Sequence, residues 1–88
     1  MNSEVLTTTP IQLISLVDLK PGDRAIIKQI KGDTGKEIYL MELGLLPGTS
    51  IKYIKKAPLG DPIEICLRNY HLSIRSEDAG FVLVEKQK

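Results

Sequence analysis

Leu40-Met41-Glu42-Leu43-Gly44-Leu45-Leu46-Pro47-Gly48 reads as the last turn of a short helix with its stop signal written out. Gly44 stands where a helix needs a left-handed residue to satisfy its last carbonyls, and Leu45 follows as the apolar residue that packs back on the final turn. Pro47 has no N–H and restricts the residue before it, so the helix cannot resume. One full strand-like segment precedes this helix and several follow it. The expectation is a mainly β domain with one short helix inserted after the first strand.

Upstream, Gly32-Asp33-Thr34-Gly35 opens the helix, with Thr34 and Glu37 spaced as a capping box and Asp33 as the competing N-cap. Leu40 and Leu43 share a face, and Met41 extends that apolar surface from Ile38. Arg24 to Ile30 is the first full strand. Ala25 and Ile27 alternate inward, and Ile30 breaks the period, which predicts a bulge or a strand end. Before it, Lys20-Pro21-Gly22-Asp23 is a turn. Ser15 to Leu19 is an anchoring turn that points Leu16 and Leu19 to one side. The Thr-rich start of the chain reads as a loose tail over residues 1–14.

Downstream, Ser50 to Lys56 is a strand with Ile51 and Tyr53 on one face and Lys52, Ile54 and Lys56 on the other. Ala57 to Pro62 is a loop, and Ile63, Ile65 and Leu67 alternate inward against Glu64 and Cys66. A two-residue hairpin loop at Asn69-Tyr70 sets Leu67 opposite Leu72, Ile65 opposite Ile74 and Glu64 opposite Arg75. A short capped turn at Ser76–Gly80 leads to the closing strand, Phe81 to Val84, and the chain ends in a tail at 86–88. About five short strands, tight turns and one inserted helix predict a small SH3-like β-barrel over residues 15–85.

Composition narrows the function. Eighty-eight residues make one domain. A net charge of +1 gives no electrostatic footprint for DNA or RNA, and three Tyr, one Phe and no Trp supply no stacking platform. One cysteine forms no internal disulfide. No stretch approaches the roughly 20 apolar residues that span a bilayer, and the N-terminus lacks the pattern of a secretory signal. A cytoplasmic protein without membrane insertion is expected.

Candidate chemistry is sparse. Cys66 and His71 are the only soft metal ligands; the expected register sets them diagonally on neighbouring strands, two ligands where a closed zinc site needs four. Cys66 has no third group or oxyanion arrangement for nucleophilic catalysis. Gly32 to Lys36 lacks phosphate-loop spacing, since Glu37 follows Lys36. Asp61, Glu64, Glu77 and Asp78 read as solvated or cross-strand partners. What remains is surface: Leu46, Ile54, Leu59 and Tyr70 are apolar at outward or loop positions. The residues therefore support a binding module and give no support to an enzyme.

Four segments in order, Leu19-Lys20-Pro21-Gly22, Leu43 to Gly48, Ala57 to Ile63 and Tyr70 to Arg75, resemble the FeoA family across about residues 16 to 84. These are small accessory proteins of bacterial ferrous iron uptake. Asn69 stands where relatives generally carry Gly, and Tyr39 and Met41 occupy a stretch often rich in Arg and Leu. The resemblance implies an SH3-like barrel with a helical insertion, partnership with the FeoB membrane iron transporter through its cytoplasmic G domain or core, and no catalytic residues and no cofactor. It also implies transition-metal binding, for which the sequence shows no ligand cluster beyond the pair Cys66 and His71. The chain is similar, too, to the C-terminal SH3-like domain of iron-dependent repressors of the diphtheria-toxin-repressor type. The expected partner contact uses the barrel edge and the loops at Leu45–Gly48 and Ala57–Pro62, with Leu46, Leu59 and Tyr70 as anchors and Lys52 and Lys56 at the rim. The alternatives are a metal-responsive regulator using Cys66 and His71, and a homo-oligomeric adaptor.

Overall fold

The structure, a computed structural model, describes residues 12–88. The expected N-terminal tail lies mostly outside the described residues. Apolar alternation builds one antiparallel sheet from β1 (Ile14–Ser15), β2 (Arg24–Ile30), β3 (Ser50–Lys56), β4 (Ile63–Leu67), β5 (Tyr70–Ile74) and β6 (Val82–Gln87). Their order across the sheet is β1-β6-β2-β3-β4-β5. Helix α1 (Thr34–Glu42) joins β2 to β3, and the four-residue α2 (Ser76–Ala79) joins β5 to β6. The anchoring turn is a 3-10 turn over Leu16–Asp18.

The sixth strand is the two-residue β1, which pairs Ile14 with Val84 and Ser15 with Leu83, so α1 follows the second strand. β6 runs past Val84 to Gln87, which pairs with Arg24. Among the described residues no ladder joins β5 to β1, so the sheet is not a closed barrel. The chain geometry explains this. β1 breaks into the 3-10 turn after two residues, β5 gives way to α2 after a single linking residue, and α2 packs against that turn at the seam.

The inward residues meet in one core. Leu16, Ile27, Leu40, Leu45, Ile63, Ile65, Val82 and Val84 are fully buried, with Tyr53 beside them. Two bulges make the alternation work. In β2 the register against β6 shifts between Ile27 and Gln29, which turns Ile30 back inward after Ile27. In β3 the shift lies between Tyr53 and Lys55, so Lys55 falls opposite Glu64 and Lys56 opposite Ile63. Lys56 therefore does not continue the face of Lys52, as unbroken alternation predicts.

The β4–β5 hairpin turns one step earlier than expected. Arg68 and Asn69 both take positive φ, 49° and 71°, the two left-handed positions of a type I′ turn. Tyr70 is thus the first strand residue, opposite Leu67; Ile65 faces Leu72, Ile63 faces Ile74, and Glu64 faces Ser73 rather than Arg75. The displacement is by two residues along β5, so the apolar positions keep their face.

At the start of α1 the competing cap prevails: the Asp33 carboxylate accepts the Lys36 N–H at 2.8 Å, and Thr34 is the first helical residue. At its end Leu45 N–H bonds the Leu40 carbonyl at 3.2 Å and Gly44 N–H bonds that of Met41 at 3.0 Å. That pair of bonds is a Schellman closure, with Gly44 at φ 102° and buried Leu45 and Leu40 as its apolar contact. The Tyr70 hydroxyl, from β5, donates to the Leu43 carbonyl at 2.9 Å. Leu40 is the one buried residue of α1; Ile38 and Tyr39 are exposed, so the apolar surface expected from Ile38 to Met41 is largely open to solvent.

A Cβ on Gly44 would collide with the Tyr70 hydroxyl as well as strain the backbone. Gly44→Ala is expected to cost about 2 kcal/mol, combining the left-handed penalty with this clash, and to lower the melting temperature by about 10 °C. In a Tyr70→Phe background, without the hydroxyl, the same substitution costs less. Urea unfolding of the four proteins of this double-mutant cycle measures the difference.

Candidate functional site

The corrected register sets Cys66 directly opposite His71 rather than diagonal to it. The His71 ring is turned along the sheet instead, with Nδ1 2.5 Å from Glu64 Oε2. Among the described residues no group of three or more His, Cys, Asp or Glu is placed to hold a metal ion. Cys66 and His71 thus remain a pair without the third ligand that even an open catalytic zinc site requires.

The acidic residues have structural work that their sequence positions do not announce. Asp78, expected at the surface, is buried and bonded at 2.6 Å to Lys36 Nζ, which lies over the Phe81 and Tyr39 rings at 5.5 and 5.7 Å. This ties α1 to α2. The hydrogen bond to Asp78 holds the Lys36 amine above its usual pKa. Asp61 accepts the Ser76 N–H at 2.5 Å, and the Ser76 hydroxyl donates to the Gly60 carbonyl at 2.8 Å. The Ala57–Pro62 loop is thereby pinned to the start of α2. The Ser76 backbone bond, with help from its side chain, pulls the Asp61 carboxyl below the ordinary aspartate range.

The five expected contact residues do not form one patch. Leu59, 98% exposed, stands at the tip of the β3–β4 loop. Tyr70 lies at the opposite end of the β4–β5 hairpin, its hydroxyl engaged with the end of α1, and Leu46 is half-buried just beyond that helix. Lys56 is exposed at the end of β3. Lys52 belongs elsewhere, on the outer face of the sheet.

There the register lays Gln87, Arg24, Lys52, Cys66 and His71 side by side across β6, β2, β3, β4 and β5. Arg24, Lys52, Cys66 and Gln87 line a groove of about 390 Å³ that also includes Ser50 and the turn residues Arg68 and Asn69. Sequence reading missed this groove. Its residues come from four strands and a turn, and only the strand order makes them neighbours.

Comparison with known proteins places this geometry. The FeoA domain model matches residues 14–86. A Porphyromonas gingivalis relative, an Fe(2+) transport protein A/Fe(2+) transporter FeoB fusion protein, is 34% identical over 70 residues, 80% of this chain; the chain spans 8% of that relative's length. The solution structure of a FeoA-like protein from Clostridium acetobutylicum is 32% identical, with a TM-score of 0.79 covering 88% of each chain. The zinc complex of Stenotrophomonas maltophilia FeoA, described as a prokaryotic SH3 domain protein, matches with a TM-score of 0.70. It covers 85% of this chain and 96% of that one, and at 20% identity it shows the fold alone: SH3-like, with six strands in one sheet here.

The Asp61 bond gives stability a defined acid dependence. A carboxyl depressed on folding stabilises the fold above its unfolded value, 3.8, and that contribution is lost as pH falls through the lower folded value. Asp61→Asn is therefore expected to flatten the fall in urea midpoint between about pH 5 and about pH 2.5 relative to the wild type. Parallel curves would show that the loop anchor does not depend on charge.

Proposed function

The chain belongs to the FeoA family, and on that footing we propose that it is a cytoplasmic accessory protein of ferrous iron uptake that binds a FeoB-type transporter and modulates its activity or assembly. The observation that carries this reading is the P. gingivalis fusion, in which a segment 34% identical to this chain shares a polypeptide with a FeoB transporter. Covalent linkage raises the effective concentration of two modules that act together, and separate chains need a surface contact in its place. The architecture suits such a role. One small core supports exposed loops and an open sheet face, and among the described residues no third group joins Cys66 and His71. In this reading the chain catalyses nothing itself.

Among the described residues Leu59 is the apolar side chain most open to a partner, at 98% exposed. Its exposure makes Leu59→Asp harmless to the fold. In calorimetry of the chain against the soluble cytoplasmic domain of a FeoB-type transporter, wild type is expected to bind, and Leu59→Asp to bind about tenfold more weakly. Adding the chain is expected to alter the transporter's GTP hydrolysis or its assembly state. Absence of binding by the wild-type chain to both the domain and the intact transporter would overturn the reading.

A further inference from the structure

The groove on the outer sheet face has a charge pattern of its own. Three cations, Arg24, Lys52 and Arg68, line it together with the polar Ser50, Asn69 and Gln87. No carboxylate is among the lining residues. Nor do these cations have carboxylate partners elsewhere among the described residues: the ion pairs there involve Lys28, Lys36, Lys55, His71 and Lys86. Arg68 makes one long bond, 3.4 Å, to the Thr49 hydroxyl. The nearby acids are committed, Glu64 to His71 and Lys55, and Asp23 to Lys86 and the Lys20 N–H. A chain of net charge +1 thus gathers three unmatched positive charges on one concave face.

We propose that this groove receives an extended acidic peptide segment of a protein partner. Charge complementarity selects an anionic occupant. Spacing selects a chain over a compact ion. Arg24 and Lys52 are cross-strand neighbours, while Arg68 lies beyond β4, roughly two strand spacings or about 10 Å from β2. Carboxylates two to four residues apart on an extended segment span about 7–13 Å. The two arginines offer planar forks that match carboxylates bidentately. A nucleotide fits less well, because no aromatic ring lines the groove to hold a base and no helix N-terminus points into it. The inference deepens the proposed function, on which the identity of the partner rests: the acidic segment would belong to the transporter's cytoplasmic part.

The test uses the full chain, isotope-labelled and followed by NMR, with three probes: a capped Glu-Asp hexapeptide, inorganic phosphate and pyrophosphate. The peptide is expected to shift the amides of Ser50 to Lys52 and Cys66 to Asn69 and to weaken with salt. Arg24→Gln/Lys52→Gln is expected to lose about tenfold in affinity while keeping the wild-type spectrum elsewhere. Should that variant misfold, Arg68→Gln alone carries the same expectation in smaller degree. No shift with the peptide, shifts centred on Lys28, Lys31 or Lys55, or shifts with phosphate or pyrophosphate only would overturn the proposal. Competition between peptide and transporter domain supports both readings. Peptide binding in the groove without such competition supports the groove and counts against the transporter as its occupant.

Discussion

The junction at the end of α1 ties the inserted helix to the far edge of the sheet. The Leu43 carbonyl, left without an intrahelical donor, takes the hydroxyl of Tyr70 from a strand 27 residues on. For that hydroxyl to arrive, residue 44 must lack a side chain and must turn left-handed, which glycine does at little cost. One bond therefore couples the helix stop to the first residue of β5. Leu40 and Leu45 close the same junction from the core side. The edge of the sheet and the inserted helix meet at this point.

Much of this was legible in the residues. Gly44, Leu45 and Pro47 mark the helix stop, and Ile63, Ile65 and Leu67 alternate as the buried strand they form. The departures have local physical causes. Arg68 adopts positive φ although nothing in an arginine side chain announces it, so the hairpin turn sits one residue early. The shift at Ile54 in β3 reverses the face of Lys56 because a bulge adds a residue without altering composition. Asp33 outcompetes Thr34 as the cap, both being good acceptors one residue apart. The family resemblance read from four segments agrees with the match over residues 14–86. The groove was illegible for a different reason: pairing Arg24 with Lys52 and Lys52 with Cys66 depends on strand order, which no local pattern encodes.

The same separation of local and global information shapes the functional account. Residues that look chemical in the sequence are used structurally. Asp78 anchors Lys36 across the α1–α2 gap, Asp61 fixes a loop, and Glu64 occupies His71. Once these are assigned, the described residues leave, besides the exposed Ile38 and Tyr39 of α1, an exposed leucine at one loop tip and a cationic groove on the sheet. Both are recognition features. The groove sits at the start of β3 and the leucine in the loop past its end, roughly 20 Å or more apart along the strand, a span that one standard-sized protein interface can cover. A small SH3-like sheet with its core on one side is well suited to this, because the outer face carries surface charge without disturbing the packing beneath it.

The central claim, that this domain acts by presenting its outer sheet face to a transporter's cytoplasmic part, is tested most directly by cross-saturation NMR of the labelled chain in complex with that part. The account predicts saturation concentrated on Ser50 to Lys52, Cys66 to Asn69 and the Leu59 loop. Saturation confined to the exposed α1 residues Ile38 and Tyr39, or none anywhere on the domain, would contradict it.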